Sequence, residues 1–166
     1  SRQKEDAHMK HAIYARIDER LIHGQVSLRW KQAYDVTRYI VVDDSSAQDT
    51  FRQKLLTAND DTPTDFVTVD QALQIIPEYK EHVLLIIAAR PQEILELVNQ
   101  GVEIPLCNIG NMHMDVDRVQ IGTSVAVDAS EKQALIQLHE KGVQLEMRPY
   151  PESEPESLDA LWEETK

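Results

Sequence analysis

Short runs rich in β-branched and aliphatic residues alternate along this chain with stretches whose apolar positions return at helical spacing. That alternation constrains the fold more than any other feature. Parallel strands can be joined only through a crossover, and a helix is the usual crossover, so the pattern specifies an α/β protein with an open, mainly parallel sheet. Strands are expected at His11 to Ile17, Arg38 to Asp43, Asp65 to Val69, His82 to Ile87, Pro105 to Ile109, Ser124 to Val127 and Gln144 to Arg148, about seven in all. Helices are expected at Gly24 to Tyr34, Gln48 to Leu56, Asp70 to Ile76, Pro91 to Asn99 and Ser130 to Lys141, with a last turn or two from Ser157 to Glu164. Pro91 suits a first helical position, where its missing N–H costs nothing. Asp70 and Ser130 suit N-caps, with Gln133 completing a capping-box pattern. Gly101 and Gly142 stand just past helix ends.

A length of 166 residues fits one domain with its own core. The division expected is a flexible N-terminal extension or linker at 1–10 and a single domain at 11–166. Pro149 to Glu156, rich in proline and glutamate, should cross the surface to the last helix. Cys107 is the sole cysteine, which rules out an intrachain disulfide, a zinc knuckle and a Cys-x-x-Cys redox pair. No apolar run approaches the roughly 20 residues that span a bilayer, and the first ten residues are polar, so a cytoplasmic location without membrane insertion is expected.

The formal net charge of −12 argues against a nucleic-acid surface. That charge is uneven. Between Lys10 and Lys31 five basic residues face two acidic ones, a local +3 that leaves −15 on the rest. Such an island favours a small anion or a phosphorylated partner over a polyanion.

Within the island, Arg16 to Val26 reads Arg-Ile-Asp-Glu-Arg-Leu-Ile-His-Gly-Gln-Val and puts His23 where the first strand hands over to a helix. Ligands of open parallel sheets gather beyond the carboxyl ends of the strands. Gly24 lets the backbone approach a bound group, and the N–H groups of Gly24, Gln25 and Val26 would point toward a phosphate. Arg20 offers a forked pair of donors. Nearby positive charge favours the neutral, nucleophilic imidazole and steadies a phosphoryl group in transit. Asp18 is expected to pair with an arginine and shape the loop, and Glu19 to be solvated. Taken alone, a histidine beside a glycine at such a turn is more often structural than chemical.

The whole string resembles the phosphorylation-site motif of enzyme IIB of the mannose and sorbose type in the bacterial sugar phosphotransferase system, Arg-Ile-Asp-x-Arg-Leu-Ile-His-Gly-Gln-Val, with only Glu19 in the variable place. The resemblance continues through Ile40 to Asp44, Asp49 to Leu56, Asn108 to Met114 and Val125 to Arg148. It implies an open, mainly parallel sheet with helices on both faces and an antiparallel edge strand. It also implies that His23 accepts a phosphoryl group on Nδ1 from a phosphohistidine of a IIA partner and passes it to a hexose-type sugar held by membrane IIC and IID components. Arg20 and the loop around Gly24 and Gln25 would hold the phosphoryl oxygens, with Asp18 bracing the loop.

Two departures from the family pattern bear on the site. Asn111 stands where a second glycine is common, and asparagine tolerates a left-handed backbone. Ala89-Arg90-Pro91 replaces a Thr-Asn-Pro-like segment, so Arg90 either grips phosphate or points to water. Arg16, Arg29 and Lys31 are candidates for steering an acidic IIA surface, and Asn108 and Met112 for a partner-facing loop. Phosphoryl exchange between histidines needs no nucleotide, so no metal and no cofactor are expected. His113 flanked by Met112 and Met114 makes a poor metal site, and Asp43 and Asp44 read as turn formers. Trp30 and Tyr34 read as core packing and Trp162 as an anchor for the last helix. The alternative to a phosphocarrier is a non-catalytic anion-sensing module, in which His23 would only bind phosphate.

Overall fold

The computed structural model describes residues 11–163, so the extension expected at 1–10 lies outside the described residues. Among the described residues eight strands form: β1 (Ala12–Asp18), β2 (Arg38–Val42), β3 (Thr64–Val67), β4 (Val83–Ala88), β5 (Leu106–Asn111), β6 (Val119–Gly122), β7 (Val125–Val127) and β8 (Gln144–Met147). Six of them make one sheet in the order β3-β2-β4-β1-β5-β8, every neighbouring pair parallel. The remaining two, β6 and β7, pair antiparallel as a separate hairpin. Ser124 to Val127 therefore forms a strand but serves this hairpin, leaving six strands rather than about seven in the main sheet. Outside β8, a single antiparallel bridge joins Met147 to Glu156. Pro149, Pro151 and Pro155 interrupt that segment, and a proline has no N–H to extend a ladder.

The helices are α1 (Gly24–Tyr34), α2 (Asp44–Ala47), α3 (Thr50–Leu56), α4 (Val69–Ile75), α5 (Pro91–Asn99), α6 (Ala129–Glu140) and α7 (Asp159–Trp162). Strand alternation sends side chains to two separate cores. On one face Leu84, Ile86 and Ala88 of β4 pack with Ala72 of α4, Ile94 and Leu97 of α5, Leu135 and Leu138 of α6 and Leu161 of α7. On the other, Val83, Leu85 and Ile87 pack with Val26 and Trp30 of α1. All six residues of β4 are buried, as a central parallel strand covered on both sides requires.

Helix starts differ from expectation by one rule. The capping side chain must accept from the third helical N–H while its own backbone stays extended. Thr68 with Gln71 and Asp128 with Glu131 satisfy that geometry, each as a full capping box, so Asp70 and Ser130 fall inside the first turn instead. Asp43 caps α2 in the same way, in line with a turn-forming role. Pro91 does open α5, and Gly101 and Gly142 do take positive φ just past their helices. Leu161, fully buried, anchors α7, whereas Trp162 is 42% exposed and lies against His139.

Gly110 illustrates how tightly the sheet is packed near the end of β1. A Cβ there would overlap the guanidinium of buried Arg16. Gly110→Ala is expected to destabilise the protein by about 1–3 kcal/mol through overpacking, read as a lowered urea midpoint with unchanged slope.

Candidate functional site

At its carboxyl end β1 meets β5 through a register shift between Ile17 and Asp18, which re-aims the side chains that follow. The chain then turns sharply. Glu19 N–H donates to the Asn111 carbonyl at 3.0 Å, and Leu21 N–H donates to the Asp18 carbonyl at 2.9 Å. Leu21 is buried in a left-handed conformation at φ 62, a strained arrangement for a branched side chain that the surrounding core holds in place. His23 occupies the N-cap of α1 with its imidazole exposed, and its side chain makes no capping hydrogen bond. Its backbone N–H donates instead to Ser27 Oγ at 2.9 Å.

Gly24 follows with φ +46 and nothing within 4 Å of where a Cβ would stand. That combination needs glycine and leaves open space beside the imidazole. Val26 N–H is already taken by the His23 carbonyl at 3.1 Å, so it leaves the expected anion-binding set. Gly24 and Gln25 keep N–H groups with no acceptor among the described residues, at the positive end of an eleven-residue helix.

Asp18 is the buried pivot of the site. Its carboxylate accepts from Arg16 Nη2 at 3.1 Å, Arg20 N–H at 2.9 Å, Arg20 Nε at 3.0 Å and Arg20 Nη2 at 3.0 Å. Two guanidiniums on one carboxylate leave a net positive charge beneath the loop. Desolvation by burial pushes the Arg16 pKa down and the neighbouring Asp18 opposes it, while the hydrogen bond to Asp18 pushes the Arg20 pKa up. Arg20 remains partly exposed, and no described residue accepts from its Nη1. Asp18 thus fixes the direction of Arg20 while being itself buried.

The match to known proteins follows this geometry. Residues 12–166 fit the family model described as the PTS system sorbose subfamily IIB component, PTS being the phosphotransferase system. The chain belongs to this IIB family. It is 34% identical over 154 residues to the fructose-specific EIIB component of Bacillus subtilis, covering 90% of this chain and 94% of that protein. It is 36% identical over 138 residues to the mannose-specific EIIAB component of Escherichia coli, covering 81% of this chain but 43% of that longer protein. The chain therefore spans less than half the length of that relative. The solved IIB domain of the sorbose permease from Klebsiella pneumoniae superposes with a TM-score of 0.83 at 30% identity, over 90% of this chain and 95% of that one.

Within this IIB chain several expected site residues occupy unexpected places. Arg16, Asn108 and Met112 are at most 2% exposed and so are not presented to a partner. Arg16 donates to Asp18 and Asn108 and lies over the Trp30 ring. Asn108 belongs to β5 and donates to the Arg148 carbonyl at 3.2 Å, bracing the sheet. Met112 packs in the core, its backbone joined to Ser124 and Ala126. Asn111 ends β5 without a positive φ, so no left-handed glycine is needed there. Arg29 is on the surface of α1 but is tied to Glu152 at 3.0 Å and rests on the Tyr150 ring. Lys31 lies in the last turn of α1, about 12 Å along the helix from His23. Arg90 is exposed as the N-cap of α5 and lines a cavity of about 460 Å³ with Glu19, His113 and Arg118, a cavity whose wall does not include His23.

Glu19 is not the solvated residue its sequence suggests. Its carboxylate accepts from His113 N–H at 3.0 Å, from His113 Nδ1 at 2.5 Å and from Arg118 Nη1. Burial pushes the Glu19 pKa up, but the His113 backbone N–H and Arg118 more than offset it, and the net shift is downward. A carboxylate lowered on folding contributes stability that is fully present above its unfolded pKa of about 4.3 and is lost as pH falls through the lower folded value. Acid titration of Glu19→Gln should accordingly show a shallower loss of stability below about pH 4 than the parent chain, followed by circular dichroism in urea.

Burial raises the Cys107 thiol pKa to about 12, which keeps it protonated and inert. Among the described residues no group of three or more histidine, cysteine, aspartate or glutamate side chains could hold a metal ion, and no helix is long and apolar enough to cross a membrane.

Proposed function

We propose that His23 is the covalent phosphoryl carrier of this IIB component. It takes the group from a phosphohistidine of a IIA partner and delivers it to a hexose-type sugar presented by membrane IIC and IID components. The observation that carries the reading is an exposed imidazole at the N-cap of α1, beside two unengaged backbone N–H groups and a half-free arginine. In the first transfer the donor P–N bond breaks as Nδ1 of His23 bonds to phosphorus. In the second, a sugar hydroxyl oxygen bonds to phosphorus, the His23 N–P bond breaks, and the hydroxyl proton leaves to water.

Through both steps the phosphoryl oxygens rest against Gly24 N–H, Gln25 N–H and Arg20 Nη1, donors fixed before the group arrives. Successive docking of two partners over one histidine requires an exposed position, and His23 has one. The chain works in the cytoplasm, in peripheral contact with the transporter. Incubation with phosphoenolpyruvate and the upstream carriers should give a phosphoryl adduct at His23, acid-labile and base-stable, seen by phosphorus NMR and intact mass. Binding of phosphate without a covalent adduct would instead mark an anion sensor.

A further inference from the structure

Asp18, the last residue of β1, and Glu19, in the turn that follows it, close on two separate sets of partners, so the loop carrying His23 is gripped from both sides. Asp18 faces α1 and closes on Arg16 and Arg20. Glu19 faces the other way and closes on Arg118 and His113. Arg118, on the segment between β5 and β6, commits every guanidinium nitrogen. Nε donates to Glu131 at 2.9 Å, Nη2 donates to Glu131 at 2.6 Å, and Nη1 donates to Glu19 and to the His113 carbonyl at 2.7 Å. Glu131 is 1% exposed and is itself locked as the third residue of the α6 capping box. A chain of charged groups thus runs from the first turn of α6, through Arg118, to the residue directly after β1.

We propose that Glu19 and Arg118 are positioning residues for phosphoryl transfer, setting the orientation of the His23 loop from the face opposite Asp18. The proposal rests on His23 being the carrier. The imidazole has no capping side-chain bond of its own, so its direction is inherited from the backbone, which these two clamps hold together with the bonds to Asn111 and Ser27. Releasing the Glu19 clamp leaves the loop with the Asp18 clamp and its backbone bonds to Asn111 and Ser27, and lets it shift on the face that Glu19 held. Geometry lost in this way lowers the rate of transfer without weakening encounter with the donor, because a pre-oriented nucleophile contributes to kcat rather than to docking.

The test uses two phosphoryl donors, the phosphorylated IIA partner and the small molecule phosphoramidate, with Glu19→Gln, Arg118→Gln and the double variant. Each single variant should lower the rate of His23 phosphorylation about 10-fold from both donors, with KM for the IIA partner unchanged. The double variant should be no slower than the worse single one, since both break the same link. Arg118→Lys, which keeps the charge but loses the fork, should recover only part of the rate. Should Glu19→Gln fail to fold, the Arg118→Lys comparison carries the same reading.

Loss confined to the IIA donor would make Glu19 and Arg118 docking residues and overturn the proposal. So would wild-type rates in the variants, or losses that simply multiply. Failure of the parent chain itself to take phosphate at His23 would overturn the carrier reading instead, so the two failures are distinguishable.

Discussion

Asp18→Asn is expected to destabilise this protein by about 3–5 kcal/mol, the range observed when one partner of a buried ion pair is removed. The side chain is fully buried, its charge is matched by Arg16 at 2% exposure, and Arg20 closes on the same carboxylate with two nitrogens. Asparagine keeps the volume but turns one acceptor into a donor aimed at two guanidiniums. Arg16 is then left charged inside the sheet, with Asn108 and the Trp30 ring for company. The cost therefore comes less from losing an attraction than from stranding a cation. That distinction can be measured. Adding Arg16→Met to Asp18→Asn removes the stranded charge, and the double variant should recover part of the lost stability in urea denaturation, although transfer stays impaired because Arg20 has lost its support. A double variant less stable than Asp18→Asn alone would show that Arg16 stabilises the core through packing rather than through charge.

How far the site could be read from sequence depends on whether a residue's partners lie near it in the chain. His23, Gly24, Gln25, Asp18 and Arg20 sit within one strand-to-helix turn, so the sequence alone already groups them as one candidate site. The strands were legible for a similar reason, since parallel strands buried on both faces read as continuous aliphatic runs. Arg118 is the contrasting case. It stands 99 residues from Glu19 on a segment with no apolar periodicity, and nothing local distinguishes it from a solvated arginine. Glu19 reads as solvated in the sequence because its partners His113 and Arg118 arrive on the segment between β5 and β6, brought beside β1 only in the folded sheet. The same limit explains Arg16, Asn108 and Met112, three residues whose burial follows from sheet order rather than from their neighbours in sequence. Charge counting singles out the segment from Lys10 to Lys31 but does not tell that Arg16 is buried while Arg29 is tied to Glu152.

His23→Gln separates chemistry from architecture, and its expected result is the reverse of the Asp18 case. Glutamine at 23 keeps a polar, uncharged side chain at an exposed N-cap whose imidazole makes no capping bond, and the backbone N–H to Ser27 is untouched. Stability should therefore change by no more than about 0.5 kcal/mol, as for exposed positions generally. Phosphoryl acceptance should nevertheless fall to background, on the order of 10⁶-fold, because the carboxamide that replaces the imidazole is not a nucleophile. Arg20, Gly24 N–H and Gln25 N–H remain in place, so the variant should still hold inorganic phosphate weakly, detectable by chemical-shift changes at Gly24 and Gln25. A variant that binds the anion but forms no adduct assigns the covalent step to the imidazole and the electrostatic step to its surroundings. Retained transfer in His23→Gln would move the nucleophile elsewhere and remove the basis for the carrier assignment.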